Sequence, residues 1–461
     1  MKQLHVIVLA AGNSTRLKSR TSKIMHPLCG RPMIDGVLTV ARSLRPQKIS
    51  VVLGNDRETV IAHLRGQKGL VFAHQKERLG TAHAVQVGLK ALGKISGPVL
   101  ILSGDVPLLR SETLRHLLRL GTARPLSLVT AVLPEPFGYG RILRDAVGNI
   151  QAIVEEKNAT PEEKQINEIN AGIYCAEAGF LKTGLSEIRL DPIKKEYYLT
   201  DLVAAALRRK IPVHTVAVAD SREILGVNTR AELAYAQQVR RQAILARHLE
   251  AGVGMQDPSA TYIDEEVRIG EDTYVAANVH LLGRTSIGKA CRIEPGAILL
   301  DARLGDGVQI QAYSHLQDCV VKSGAIVGPF ARLRPGTVLE AEAHVGNFVE
   351  LKKTRLGQKS KANHLAYLGD ASIGRGVNVG AGTITCNYDG KNKYRTVLGD
   401  GVFVGSDTQL VAPVKVGKGA YIGAGTTVTK NVPPGALALS RLPQKNVLGY
   451  KRKMKRGHGK K

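Results

Sequence analysis

The sequence predicts an α/β domain with a mainly parallel sheet, then a long connecting helix, then a parallel β-helix. Three observations carry this. Up to about residue 227, short apolar runs alternate with helix-like stretches. Residues 229–249 hold one amphipathic pattern free of Gly and Pro. From about Thr261 onward, aliphatic residues recur at every sixth position.

The runs His5–Leu9, Lys48–Leu53 and Val99–Leu102 are dominated by Val, Ile and Leu, as expected of strands buried on both faces. Strands that alternate with helices argue a parallel sheet covered on both sides. In the connecting helix Leu233, Ala236, Val239, Ala243 and Ala246 recur at spacings of three and four. Asn228 or Thr229 caps its start, and Gly252 and Gly254 mark its end. Behind it, Ile269, Val275, Leu281, Ile287, Ile293 and Leu299 stand six apart. Leu304, Ile310 and Leu316 keep that step after a one-residue slip. Val327, Leu333, Leu339, Val345 and Leu351 resume it, and Leu398, Val404, Leu410, Val416, Ile422 and Val428 finish it. A six-residue period fits neither a helix nor a simple strand. It fits a solenoid whose coils have three flat faces, each turning one aliphatic inward. The period fails between Gly380 and Thr396, which reads as a loop leaving the coil, a common carrier of function. The expected division is 1–228 for the front domain, 229–250 for the helical linker and 251–461 for the β-helix with a basic tail.

Composition narrows the function classes. With 43% hydrophobic and 23% charged residues, the chain reads as globular. No apolar stretch approaches the ~20 residues of a membrane helix. Met1-Lys2-Gln3 runs straight into a strand-like segment with no signal-peptide pattern, so a cytoplasmic protein is expected. The five cysteines are scattered and form no CxxC pair, which speaks against zinc or a disulfide framework. A net charge of +26 raises the question of nucleic acid. No nucleic-acid motif accompanies it, Trp is absent, and the charge is spread out except in the last dozen residues. A solvated basic surface and tail, with no nucleic-acid partner, is the expectation.

Chemistry enters with Leu9-Ala10-Ala11-Gly12-Asn13-Ser14-Thr15-Arg16-Leu17, directly after the first strand. Small residues let the backbone approach a phosphate and a base, and the helix start beyond offers N–H groups to an anion. Arg16 and Lys23 add positive charge. Val99–Leu102 leads into Ser103-Gly104-Asp105-Val106-Pro107, which puts Asp105 at the C-terminal end of a buried strand. Ligands bind there in open α/β sheets, and a carboxylate beside phosphates suits Mg²⁺.

Further segments follow in order: Leu79-Gly80-Thr81-Ala82-His83-Ala84, Gly138-Tyr139-Gly140-Arg141-Ile142, Glu168-Ile169-Asn170-Ala171-Gly172-Ile173-Tyr174, Glu196-Tyr197-Tyr198-Leu199-Thr200-Asp201 and Gly226-Val227-Asn228. With these the chain resembles, over nearly its whole length, the bacterial bifunctional N-acetylglucosamine-1-phosphate uridylyltransferase/glucosamine-1-phosphate N-acetyltransferase family. The resemblance implies a Rossmann-like nucleotidyltransferase domain and a left-handed, hexapeptide-repeat β-helix. It implies that Leu9, Ala10, Ala11, Gly12 and Gln75 read uracil, with Gly80 and Thr81 close by. Arg16 and Lys23 would meet the triphosphate, with Ser103 and Gly104 lining the same site. Gly140, Glu155 and Asn170 would hold the sugar, and Asp105 and Asn228 would bind Mg²⁺. Three departures stand out. Ser14 and Leu17 replace a Gly and a Met of the family's loop, Ser22 replaces a Pro before the lysine, and Ser103 stands where an aromatic is common.

Acetyl transfer to a sugar amine needs a base and a site for the donor. The stretch Asn347–Lys353, then His364 and Tyr367, offers candidates. The resemblance implies His364 as general base, oriented by Glu350. It assigns Arg334, Lys352, Tyr367 and Asn378 to the sugar phosphate, and Ala381, Ser406, Ala424 and Arg441 to acetyl-coenzyme A. Asn387 and Tyr388 would contact the sugar and the thioester end. The implied substrates are glucosamine 1-phosphate, acetyl-coenzyme A, N-acetylglucosamine 1-phosphate and UTP, and the implied assembly is a homotrimer. Two rivals remain at this point. One is another sugar-1-phosphate nucleotidyltransferase with a β-helix tail. The other is a regulatory subunit that kept the fold and lost the chemistry.

Overall fold

The computed structural model describes residues 3–12, 15–123, 125–192, 195–440 and 443–448. Ser14, Arg441 and the basic run 451–456 lie outside the described residues. The chain divides into two compact units, one ending at Ile244 and the other beginning at Leu245.

The first unit runs β1 (His5–Ala10), α1 (Met33–Ser43), β2 (Lys48–Leu53), α2 (Arg57–Leu64), β3 (Leu70–His74), α3 (Thr81–Leu92), β4 (Pro98–Ser103), α4 (Ser111–Ala123), β5 (Leu126–Val132), β6 (Arg141–Arg144), β7 (Ile150–Val154), β8 (Glu168–Glu177), α5 (Ala178–Leu185), α6 (Asp201–Arg208), β9 (Val213–Ala217) and the start of α7 (Arg230–Glu250). Its sheet has the order β9-β5-β8-β4-β1-β2-β3, with the β6–β7 hairpin attached to β8. The pairs among β1 to β4 are parallel, and so is β5 with β9. β8 runs antiparallel to both β4 and β5. The expected mainly parallel sheet is therefore mixed, as doubly wound sheets often are. The reversal matters for the site, because the start of β8 lies beside the end of β4.

Successive residues of a strand face opposite sides, and both sides are covered. Val6, Val8, Leu100 and Leu102 pack with Ile34, Val37 and Leu117. Ile7, Val99 and Ile101 pack with Val85, Leu181 and Leu202. Continuous apolar runs are what two such cores require. The first half of α7 packs on this unit through Leu233 and Ala236, against Met33, Leu108 and Val227.

The second unit is a parallel β-helix. Among the described residues its strands form three parallel sheets of eleven, ten and nine strands. The six-residue step walks from face to face. Val275, Ile293, Ile310, Val327 and Val345 stack in one sheet. Leu281, Leu299, Leu316, Leu333 and Leu351 stack in the second, and Ile287, Leu304, Val321, Leu339 and Leu356 in the third. Nearly all of them are fully buried. At the break in the period, Ile373 pairs directly with Leu398, so the chain between makes the coil and a protruding loop. An isolated bridge between Tyr388 and Lys393 closes that loop. No helix among the described residues is long and apolar enough to cross a membrane.

Candidate active sites

The C-terminal ends of β1, β3 and β4 frame a cleft of about 430 Å³. Leu9, Ala10, Ala11, Gly12, Lys23, Gln75, Gly80, Thr81, Ser103 and Asp105 line it. One backbone bond shapes it. Gly104 N donates to Leu9 O at 2.8 Å, joining the ends of β1 and β4. A Cβ on Gly104 would sit 3.1 Å from that oxygen, so the approach suits glycine.

At one end, four side chains converge. The Lys23 ammonium donates to Asp105 Oδ2 and, at 2.7 Å, to Asn228 Oδ1. Arg16 Nη2 donates to the same Asn228 oxygen at 2.7 Å. The backbone that carries these two oxygens is tied from behind. Val227 N donates to Asp105 O at 2.9 Å. Glu232 Oε2 accepts from Asn228 N at 2.6 Å and Thr229 N at 2.7 Å, while Glu232 N donates to Thr229 Oγ1, a capping box that opens α7. Asp105 and Asn228 thus aim two oxygens at one point where a cation, the Lys23 ammonium, already stands. Such a pair fits Mg²⁺, which takes one or two protein oxygens and fills the rest of its shell with phosphate and water. Among the described residues no group of three or more His, Cys, Asp or Glu gathers as a metal cage.

Gly140, Glu155 and Asn170 form a second group. Asn170 N donates to Gly140 O at 2.9 Å, Asn170 Nδ2 to Tyr174 Oη at 2.7 Å and Gly172 N to Asn170 Oδ1 at 3.1 Å. Glu155 Oε1 accepts from Thr200 Oγ1 at 3.1 Å. The antiparallel β8 brings this group to the β4 edge: a Cβ on Gly172 would lie 3.7 Å from Ser103 Oγ. Burial holds the Glu155 carboxyl above the usual carboxylate range, reinforced by Asp201 and Glu196 and opposed by the Thr200 bond.

That shift gives a stability prediction. In acid, below the unfolded carboxyl pKa, both folded and unfolded states are neutral and nothing is lost. As pH rises past the unfolded value, the unfolded carboxyl ionises while the folded one keeps its proton, so stability falls, and the loss is complete above the raised folded value. Glu155→Gln is expected to melt above wild type at neutral pH and at the wild-type temperature near about pH 4. Thermal melts at the two pH values check this.

In the β-helix, His364 is exposed on the strand Lys361–His364 and pairs with Asn347 on the rung below. The same edge continues upward through Ala381, Ser406 and Ala424. Asp407 N donates to Ala381 O and Gly425 N to Ser406 O. The glycines before them are packed rung on rung: a Cβ on Gly380 would lie 2.6 Å from Ser406 N, and one on Gly405 2.5 Å from Ala424 N. Small residues thus succeed one another along this edge, with His364 at its foot. On the adjoining sheet, Arg334, Lys352, Glu350 and Tyr367 occupy neighbouring rungs. Asn378 pairs with Lys361 on the His364 side. Lys393 from the protruding loop stands beside Lys352 and, with Arg334, pushes the Lys352 ammonium below its usual pKa. Three cations held together against their repulsion suit an anion such as phosphate. Asn387 Nδ2 donates to Asp370 Oδ2 at 2.5 Å, and Tyr388 Oη donates to Gly390 O at 2.6 Å. Glu350 accepts from Arg334 Nη1 at 2.9 Å. The structure pairs it with this arginine.

A MobA-like NTP transferase domain model matches residues 6–162, and the bacterial transferase hexapeptide model, of six repeats, matches residues 395–430. The Bifunctional protein GlmU of Pelobacter propionicus is 49% identical over 99% of this chain and all of its own length. The GlmU proteins of Geotalea uraniireducens and Bordetella parapertussis are 48% and 46% identical, covering 99% and 98% of this chain and all of their own lengths. The chain belongs to the GlmU family. It is an N-acetylglucosamine-1-phosphate uridylyltransferase and glucosamine-1-phosphate N-acetyltransferase, built from a nucleotidyltransferase domain and a left-handed β-helix, and it acts on a nucleotide and a sugar phosphate. Nothing favours either rival reading, since the full-length GlmU relatives carry both halves.

Two departures from the family pattern are accommodated locally. Ser22 adopts φ −51° and ψ 136°, backbone angles that a Pro would also take. Leu17 is buried as a packing residue. Ser103, the third departure, lines the front cleft with its hydroxyl toward Gly172. Arg78, which the sequence reading did not single out, also lines the cleft, as do Glu196 and Tyr198 of the segment Glu196–Asp201, to which no role was given. Arg78 carried a signal, a cation two residues before Gly80. Lys393 lay in the stretch where the repeat fails, and only the loop's return brings it to Lys352.

Proposed function

We propose that the back unit transfers acetyl from acetyl-coenzyme A to glucosamine 1-phosphate, and that the front unit couples the resulting N-acetylglucosamine 1-phosphate to UTP. The observation that carries the front half of this reading is the convergence of Lys23, Asp105 and Asn228 at the end of the cleft. Gln75, Gly80, Thr81 and the Leu9–Gly12 turn hold the uridine, and Gly140, Glu155 and Asn170 hold the sugar. A phosphate oxygen of the sugar phosphate attacks the α-phosphorus in line, the bond to the β-phosphate oxygen breaks, and pyrophosphate leaves. Lys23 and Arg16 fix the phosphates and offset their charge; position and charge supply the rate. Asp105 and Asn228 would hold Mg²⁺, which neutralises and orients the triphosphate.

For acetyl transfer, Arg334, Lys352 and Lys393 anchor the phosphate, with Tyr367, Asn378, Asn387 and Tyr388 around the sugar. His364 takes the amine proton as the carbon–nitrogen bond forms, and the carbon–sulfur bond breaks to release coenzyme A. Ala381, Ser406 and Ala424 line the donor's track, with Arg441 as a further contact. A homotrimer is part of the proposal. It is supported by a stacked, exposed ladder of Tyr313, Phe330 and Phe348, with ring centroids 5.3 and 5.4 Å apart, on the edge that leads to His364. Contiguous apolar edges of this kind are usually covered in an assembly. We propose residues 1–228 and 251–461 as separate domains joined by 229–250, working in the cytoplasm, where UTP and acetyl-coenzyme A are made.

Purified protein given glucosamine 1-phosphate, acetyl-coenzyme A, UTP and Mg²⁺ is expected to release UDP-N-acetylglucosamine and pyrophosphate. With a chelator the reaction is expected to stop at N-acetylglucosamine 1-phosphate. Product identification by mass spectrometry checks both, and a chelated reaction that still yields the nucleotide sugar would count against the metal assignment.

A further inference from the structure

Gln75 directly follows β3 and is almost wholly buried, its backbone N donating to Leu53 O at 2.9 Å. Its side chain faces two fixed partners. Nε2 lies 3.1 Å from Gly80 O and 3.2 Å from His83 Nδ1. The Gly80 carbonyl cannot turn away. Gly80 has φ +96°, and a Cβ there would lie 2.7 Å from Tyr197 N. Tyr197 N donates to Leu79 O and Ala82 N to Tyr197 O, so the 197 segment clamps this turn from both sides. The same Gly80 oxygen takes Ala84 N in the first turn of α3.

A carbonyl oxygen only accepts, so it demands the NH₂ end of the Gln75 amide. That choice fixes the rest. One amide hydrogen goes to Gly80, and the second goes to His83 Nδ1, which must be the lone-pair nitrogen with its proton on Nε2. Both donors of Gln75 are consumed, and what is left for a ligand is Oε1, an acceptor alone. We infer that His83, together with the Gly80 carbonyl, locks the Gln75 amide so that the site accepts uracil and rejects cytosine. Uracil presents an N3–H donor on its pairing edge, whereas cytosine presents a lone pair at N3, which would face Oε1 and leave both groups unpaired. His83 is on this view a positioning residue for base choice that never touches the base. The inference rests on the proposed contact between Gln75 and the base.

The test is the ratio of kcat/KM for UTP to kcat/KM for CTP, measured for wild type, His83→Phe, His83→Ala and Gln75→Ala, with a melting curve for each. Phe keeps a ring and removes one of the two acceptors, so turning the Gln75 NH₂ toward a cytosine then costs only the bond to Gly80 O instead of both. The ratio is expected to fall roughly five- to tenfold in both His83 variants, the scale of one neutral hydrogen bond, with use of CTP rising. Gln75→Ala is expected to collapse the ratio further. If Gln75→Ala leaves the ratio at the wild-type value, the base contact itself is wrong and the inference goes with it. If Gln75→Ala collapses the ratio while a folded His83→Phe or His83→Ala keeps it, the base contact stands and the role of His83 is overturned.

Discussion

Asp105→Ala is expected to cut uridylyl transfer about 10²–10³-fold, the scale seen when a group that stabilises transition-state charge is removed, and to leave acetyl transfer running. The side chain sits just past β4, but its backbone oxygen, which takes Val227 N, is untouched by truncation. The segment carrying Asn228 therefore stays tied in place. The variant loses one of the two oxygens that converge at the end of the cleft and leaves the Lys23 ammonium with Asn228 alone. Both changes act where triphosphate charge must be met. Asp105→Asn keeps shape and one oxygen while removing the charge, so it is expected to fall between wild type and Ala. Initial rates of pyrophosphate release, beside thiol release from acetyl-coenzyme A by the same preparation, decide the matter. Equal loss of both activities would mean general unfolding and sink the assignment.

The β-helix was the most legible part of the chain because its signal is repeated. One aliphatic every six residues gives a separate vote for each face, and the stacking of Val275, Ile293 and Ile310 simply follows. The reading lost the period where rungs shortened by one residue or where the inward position is not aliphatic. Ala362 and Thr385 are both buried in the columns, Thr385 with its hydroxyl bonded to Gly369 O. The reversed direction of β8 was not legible, since an apolar run looks the same whichever way it pairs. Residues on the turns after β1 and β4 could be placed in the front cleft from sequence, because strand ends are where such sheets bind. Arg78 and Lys393 could not, because each reaches its site through a loop whose path no local pattern encodes.

Truncating His364 tests the other half of the molecule. The attacking nitrogen must shed a proton as it bonds to the thioester carbon, and a positioned general base contributes about 10²–10⁴-fold. His364→Ala is expected to lower acetyl-transfer kcat by about that factor, with little change in KM for either substrate, because the ring meets the proton rather than the phosphate or the coenzyme. His364 is exposed at the edge of its coil and contributes no core packing, so the melting curve should hardly move. Glu350 separates two accounts of the site. Its carboxylate accepts from Arg334, so Glu350→Gln is expected to act through the guanidinium and raise KM for the sugar phosphate. If Glu350 instead oriented the imidazole, the same variant would lower kcat and shift the pH profile of acetyl transfer. Wild-type kcat in His364→Ala would remove this histidine from the mechanism, and loss of kcat in Glu350→Gln alone would make Glu350 the base in its place.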